Sequence, residues 1–241
     1  MERVGERFQK SLDLGIVSNL LFCDLCTRII SFKKMQVVKD NTRKLLLNTA
    51  RKAFLQKGYK AVSMREISKL SGVGLSNIYN YFPSKDDMLA VVLRPLLNEM
   101  DEMLERHNRP NGHSLDIFTS EAVIRESLSE ILRIVTNYHQ EIKLLFLHSQ
   151  SSQYQCYLEK WIDRCTEKSV EYMNEMKRLH PELNTDISRF FLRYTSSCWI
   201  DMMKETALHE ELSYEETELF LNEYVRYVTG GWKKLMNVES L

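Results

Sequence analysis

Residues Ser63–Lys85 read SMREISKLSGVGLSNIYNYFPSK, two short apolar-periodic blocks joined at Gly72. Ser63 with Glu66 three residues on is a capping box, so a helix opens at Ser63. Met64, Ile67 and Leu70 recur at helical spacing and predict its inward face, and Ser71-Gly72 predicts its end. The second block is expected to be helical from about Leu75 to Phe82. On a wheel of ~100° per residue, Leu75, Ile78, Tyr79 and Phe82 share one sector; Ser76, Asn77, Asn80 and Tyr81 occupy the rest. Two such helices across a tight turn outline a helix-turn-helix. The outer face of the second is small and amide-bearing, with no acid. That suits the major groove, where Asn bonds adenine in a bidentate way and Ser serves as donor or acceptor. Tyrosine hydroxyls, Lys85, and Ser63 at a helix N-terminus are placed to reach phosphates. A helical hairpin with a polar outer face has the same outline, so the surrounding sequence must decide.

Charge is the first discriminator. The net charge is zero, yet residues 39–94 carry 11 Lys/Arg against 4 Asp/Glu, while residues 95–241 carry 16 against 25. A basic module beside an acidic body points to a polyanionic partner for the first alone. With 8 Gly and 4 Pro in 241 residues and 44% hydrophobic content, the chain reads as helical and able to bury a core. Five cysteines without repeated spacing are not a disulfide framework and suit a reducing cytoplasm.

The flanks extend the pattern. Thr42–Lys57 places Leu46, Leu47, Ala50, Ala53 and Phe54 at amphipathic spacing, and Gly58 stops that helix. Pro83-Ser84 breaks the recognition segment, and a long helix starts at Lys85 or Asp86 and runs to about His107, with a kink or break expected at Pro95. Asn108–Asp116 is the clearest loop. Helical patterns then cover about Ser120–Gln140, Glu141–Ser149, Tyr154–Leu179, Asp186–Leu208 and Glu215–Asn237, without strand-like alternation.

Residues 12–32 are apolar, but Asp13, Asp24 and Arg28 interrupt them, so they suit neither a membrane span nor a signal peptide. Translation is expected to start at Met35, with residues 1–34 as upstream sequence; an amphipathic N-terminal helix is the alternative. Cys23 and Cys26 form a lone pair without two further zinc ligands nearby.

Ala50–Leu89, ARKAFLQKGYKAVSMREISKLSGVGLSNIYNYFPSKDDML, closely resembles the N-terminal domain of tetracycline-repressor-type (TetR-family) regulators. Ala53-Phe54, Gly58-Tyr59, Ser63, Ile67, Ser71-Gly72-Val73, Tyr79, Tyr81-Phe82, Ser84-Lys85 and Leu89 carry the resemblance in order. It implies a homodimer that places Leu75–Phe82 of each subunit in the major groove of a palindromic operator. It makes Tyr79 and Lys85 phosphate contacts, and Ile78 and Phe82 core. Gly74 departs from the Ser or Thr frequent in the family, which removes a side-chain phosphate contact but still caps acceptably. Leu75 is open to a thymine methyl or to packing. The expected DNA-binding residues are therefore Ser63, Arg65, Leu75, Ser76, Asn77, Tyr79, Asn80, Tyr81 and Lys85.

The expected architecture is all-α: residues 1–34 as an extension, 35–95 as a three-helix helix-turn-helix domain, and 96–241 as a helical bundle for ligand binding and dimerisation. Phe190, Phe191, Tyr194, Trp199, Met202, Met203, Phe220, Leu221, Tyr224, Val228, Trp232 and Leu235 form stripes shared between a dimer face and the core. An apolar ligand pocket with a few polar groups is expected from Tyr138, His139, Phe146, His148, Tyr157, Trp161 and Cys165, with Tyr154 nearby. No zinc-protease, phosphate-loop or nucleophile-elbow motif is present, so neither catalysis, a cofactor nor a metal is expected. These expectations converge on a cytoplasmic, dimeric regulator, most simply a repressor released from double-stranded operator DNA by a small-molecule effector, with no membrane role. An architectural DNA-binding protein of the same fold and a helical protein-interaction module are the alternatives.

Overall fold

The computed structural model describes residues 37–107 and 114–238, and no β-strand occurs among them. Expectations about residues 1–34, including the Met35 start and the Cys23/Cys26 pair, lie outside the described residues, as does most of the loop after His107. The chain falls into two compact units, Met1–Thr49 and Ala50–Leu241. In the first, the described residues 37–49 are helical. They are the start of helix α1 (37–57), whose remainder begins the second unit.

Within the second unit, α1 stops because Gly58 adopts φ +77, a left-handed conformation that L side chains resist, while its N–H still bonds Phe54 O at 2.8 Å. A 3-10 turn, Tyr59–Ala61, leads to α2 (Met64–Ser71) and α3 (Leu75–Tyr79). Ser63 Oγ caps α2 by accepting from Glu66 N at 3.2 Å. The Glu66 carboxylate pairs with Lys57. Of the predicted inward residues Ile67 is fully buried, but Leu70 is 56% exposed. The inward stripe is 64, 67, 68 and 71 instead, because the Ser68 hydroxyl turns in to donate to Val73 O at 2.7 Å. Gly72 (φ +71) closes α2 through N–H to Ser68 O at 3.0 Å. Regular helix in the third segment ends at Tyr79, three residues short of Phe82, although Phe82 N still bonds Ile78 O at 3.0 Å.

Helix α4 (Lys85–His107) follows and continues through Pro95 without the expected break. Pro95 is exposed, so the Val91 carbonyl that it deprives of a donor lies on the solvent side, where water replaces the bond. Then come α5 (Asp116–Thr119), α6 (Glu121–Lys143), a π-helical turn (Leu144–His148), α7 (Tyr157–Leu179), α8 (Arg189–Leu208) and α9 (Tyr214–Leu235). The segment Glu141–Ser149, predicted as a separate helix, is the end of α6 running into the π turn. The discontinuity lies earlier, at Tyr138, which leaves helical geometry at φ −124, ψ 25.

Helix α6 is the hub: it packs against α4, α5, α8 and α9, while α7 packs on α8 and α5 on α9. Leu128, Ile134 and Met203 are fully buried in this bundle. Around the helix-turn-helix, Phe54, Ile67, Ile78, Met88 and Leu89 are equally inaccessible, each contributing about 1.5–3 kcal/mol by leaving water. No described helix is long and apolar enough to cross a membrane.

Candidate functional site

The short α3 is held from behind and bare in front. Ile78 (0% exposed) and Phe82 (2%) anchor it, whereas Ser76, Asn77 and Asn80 are exposed and Tyr79 is 49% exposed. Gly74 caps α3 through its backbone alone, accepting from Asn77 N at 2.9 Å and Ile78 N at 3.0 Å. Asn80 Nδ2 donates to Asn77 Oδ1 at a long 3.5 Å, so the two outward amides stand side by side. Leu75 and Tyr81 are half-buried, and Ser63 and Arg65 are exposed at the start of α2. These are the groups expected on a DNA-reading face, and the fold presents them together.

Lys85 has another arrangement. Its ammonium donates to Tyr59 O (2.9 Å) and Val62 O (2.8 Å) and lies 4.1 Å from the centre of the Tyr59 ring. The Tyr59 hydroxyl donates to Asp86 Oδ1 at 2.7 Å. Burial first, and then the Asp86 carboxylate, push the Tyr59 pKa up; burial pulls that of Lys85 down. The clasp ties the turn after α1 to the start of α4. Two of the three Lys85 N–H groups are taken by these carbonyls.

The bundle contains a cavity of about 460 Å³, walled by α4 (Met103, Leu104), α5 (Ile117, Phe118), α6 (Ile124, Ser127, Ile131), α7, α8 and α9. Nine aromatic side chains line it: Phe118, Trp161, Tyr172, Phe191, Tyr194, Trp199, Tyr224, Tyr227 and Trp232. Phe118, Trp232 and Phe191 stack in sequence, with centroids 4.7 and 5.7 Å apart, and Trp199 meets Tyr224 edge-on at 6.5 Å. Burial pushes the Cys165 thiol up to about 12, and the Tyr172 and Tyr224 hydroxyls to about 12. Cys198 is raised by the same cause. These thiols and phenols hold their protons at neutral pH, and a raised thiol pKa disfavours the thiolate that redox sensing needs.

Of the seven residues expected in a ligand pocket, Trp161 and Cys165 line the cavity. Tyr138, His139, Phe146, His148 and Tyr157 do not. His139 Nε2 lies 2.9 Å from Ala207 O and 3.0 Å from Glu210 Oε1, in a polar cluster outside. Phe146 and His148 belong to the π turn, where His148 approaches Gly58. Tyr138 marks the kink of α6, and the buried Tyr157 hydroxyl packs without a hydrogen-bond partner beside Tyr154. Tyr138, His139, Phe146 and His148 lie at or beyond the kink, past Ile131, the last α6 residue in the cavity wall, and Glu141 there meets Arg51 of α1 at 2.8 Å; Tyr157 opens α7, one turn before Trp161. Phe191, Tyr194, Trp199, Tyr224, Val228, Trp232 and Leu235, expected in stripes shared between a dimer face and the core, line the cavity, together with Leu192, Cys198 and Tyr227. Gly230-Gly231 is a local sequence signal there, since paired glycines weaken a helix interior. Gly231 lines the cavity, and a Cβ there would meet nothing within 4 Å. Among the described residues no His/Cys/Asp/Glu group could hold a metal ion.

Residues 46–92 match the family described as bacterial regulatory proteins, tetR family. By residues 46–92 the chain is similar to tetR-family regulators. Among its relatives, an uncharacterized HTH-type transcriptional regulator of Bacillus subtilis, YhgD, is 36% identical over 69 residues, covering 29% of this chain and 36% of that protein. YfiR, another uncharacterized HTH-type regulator of Bacillus subtilis, is 25% identical over 163 residues, covering 64% of this chain and 76% of the relative. The chain thus spans about a third of the length of the first of these relatives and three quarters of the second. NalD, the secondary repressor of the MexAB-OprM multidrug efflux pump in Pseudomonas aeruginosa, shares the fold. Its structure superimposes with a TM-score of 0.55 at 14% identity, over 82% of this chain and 96% of that one. The tetR-family match covers the helix-turn-helix and the start of α4, so the cavity rests on its own geometry.

Proposed function

We propose that this chain is a ligand-responsive transcriptional repressor of the tetR family that binds a palindromic operator as a homodimer. The observation that carries the proposal is the joining of two sites by one helix. α4 starts at the clasp behind α3 and ends in the wall of the cavity, where Met103 and Leu104 stand. Asn77 and Asn80 are the base readers; Ser63, Arg65, Tyr79, Tyr81 and the remaining N–H of Lys85 serve the phosphates. Phe190 (80% exposed), Tyr214 (75%) and Leu219 (58%), none of them in the cavity wall, leave α8 and α9 with an apolar outer surface, which supports a homodimer built on these helices. A cavity of this size supports an effector-controlled regulator over an architectural DNA-binding protein, which has no use for one. The protein would act in the cytoplasm, without catalysis.

Fluorescence anisotropy with DNA from the promoter region of its own gene tests this. Sequence-specific binding that weakens steeply with salt is expected. Tyr79→Ala should weaken every sequence alike, whereas Asn80→Ala should relax discrimination at one base position by about 1–3 kcal/mol. A folded, dimeric protein that binds no such fragment above the level of random DNA refutes the reading.

A further inference from the structure

The chemistry of the cavity wall narrows what it can hold. Among the described residues Lys168 is the one charged side chain that lines it, and no carboxylate does so. Lys168 sits on the cavity-facing side of α7 with Trp161, Cys165 and Tyr172. In the fold it pairs with Glu171 Oε2, at 3.4 Å and three residues on in the same helix. Such a long, solvent-exposed pair is weak, so an incoming anion competes for the ammonium on favourable terms. A cation faces the opposite situation. Aromatic faces attract it, but it would enter an apolar enclosure with no counter-charge and a like charge in the wall. A neutral apolar molecule fits the walls and leaves Lys168 unused.

Resting on the assignment of the cavity as the effector site, we propose that it takes a largely apolar molecule bearing a single negative charge. The anionic end is set at Lys168, and the body lies against the aromatic walls. Lys168 is then the residue that determines ligand class, while the walls supply most of the affinity.

The chain reports its own occupancy, because all three of its tryptophans (Trp161, Trp199 and Trp232) line the cavity. The experiment titrates the full-length protein with phenylhexanoate, phenylhexanol and phenylhexyltrimethylammonium, following tryptophan emission and calorimetric heat. The carboxylate is expected to bind at least fivefold more tightly than the alcohol, and the ammonium most weakly. In Lys168→Gln the preference for the carboxylate should vanish while the affinity for the alcohol stays within twofold. Ammonium binding as tight as carboxylate binding, a carboxylate preference that survives Lys168→Gln, or no change in emission with any probe overturns the proposal. Anisotropy with operator DNA is recorded in parallel. Carboxylate binding at Lys168 that leaves DNA affinity unchanged supports the ligand class and refutes the effector reading. DNA release by the ammonium alone does the reverse.

Discussion

The thiol of Cys165 offers a quantitative check on the cavity wall. In the unfolded chain it ionises around its ordinary value of 9.0, whereas in the folded protein burial raises it to about 12. Both states hold the proton well below pH 9, so the group contributes no pH dependence there. Above pH 9 the unfolded chain releases the proton first and gains free energy, so stability falls as pH rises toward 12. At pH 10 the unfolded thiol is about nine-tenths ionised and the folded one almost wholly protonated, and the loss is on the order of 1 kcal/mol relative to pH 7. Replacing Cys165 by Ala removes that increment. The buried tyrosines and Cys198 lose stability in alkali for the same reason, but they do so in both proteins and cancel in the comparison. The assay is urea unfolding of the wild type and Cys165→Ala at pH 7 and pH 10, followed by circular dichroism. The wild type should lose on the order of 1 kcal/mol more than the variant between the two values. Identical losses would mean that Cys165 meets water freely, and its place in a desolvated part of the cavity wall would be wrong.

Other outcomes follow from neighbouring features. Lys85→Met removes two bonds to carbonyls and the contact with the Tyr59 ring, and should cost about 2 kcal/mol of thermal stability; a loss below about 0.5 would show that the clasp is not formed in solution. Gly72→Ala forces a side chain into φ +71 and should destabilise by about 1 kcal/mol, whereas Gly230→Ala, whose Cβ meets nothing within 4 Å, should stabilise by about 0.5–1, both read by chemical denaturation. Glu141→Ala leaves Arg51, whose Nε is already without a hydrogen-bond partner, facing a buried gap and should cost about 2 kcal/mol; Arg51→Met with Glu141→Leu should recover most of it.

The helix-turn-helix was legible in the sequence because its signals are local. Ser63, Gly58, Gly72 and Ser84 each fix a helix end by acting on backbone within a few residues, and Ile78 and Phe82 share a face by simple periodicity. The errors there were also local: Leu70 had the right spacing, but Ser68 took the inward place by bonding the turn. The cavity was mostly illegible because its walls come from six helices whose order in space no spacing encodes. Trp199 or Trp232 looks the same in sequence whether the space beside it is filled or empty. Tyr138, His139, Phe146 and His148 have the mixed chemistry of a pocket, but they lie at or beyond the kink at Tyr138, which a single sequence does not announce.

The unbroken course of α4 past Pro95 has a mechanical consequence. From Lys85 to Leu104 the helix is a stiff rod roughly 28 Å long, at 1.5 Å per residue. Tilting such a rod by about 5° shifts one end relative to the other by about 2.5 Å, close to half of one helical turn. Under the proposed function, a molecule that displaces Met103 and Leu104 by a fraction of their own width would act with a long arm, and the clasp at Lys85, Tyr59 and Asp86 would be the point where that arm grips the proposed DNA-reading end. Loosening the grip would leave both ends folded and each able to meet its partner, but deaf to the other.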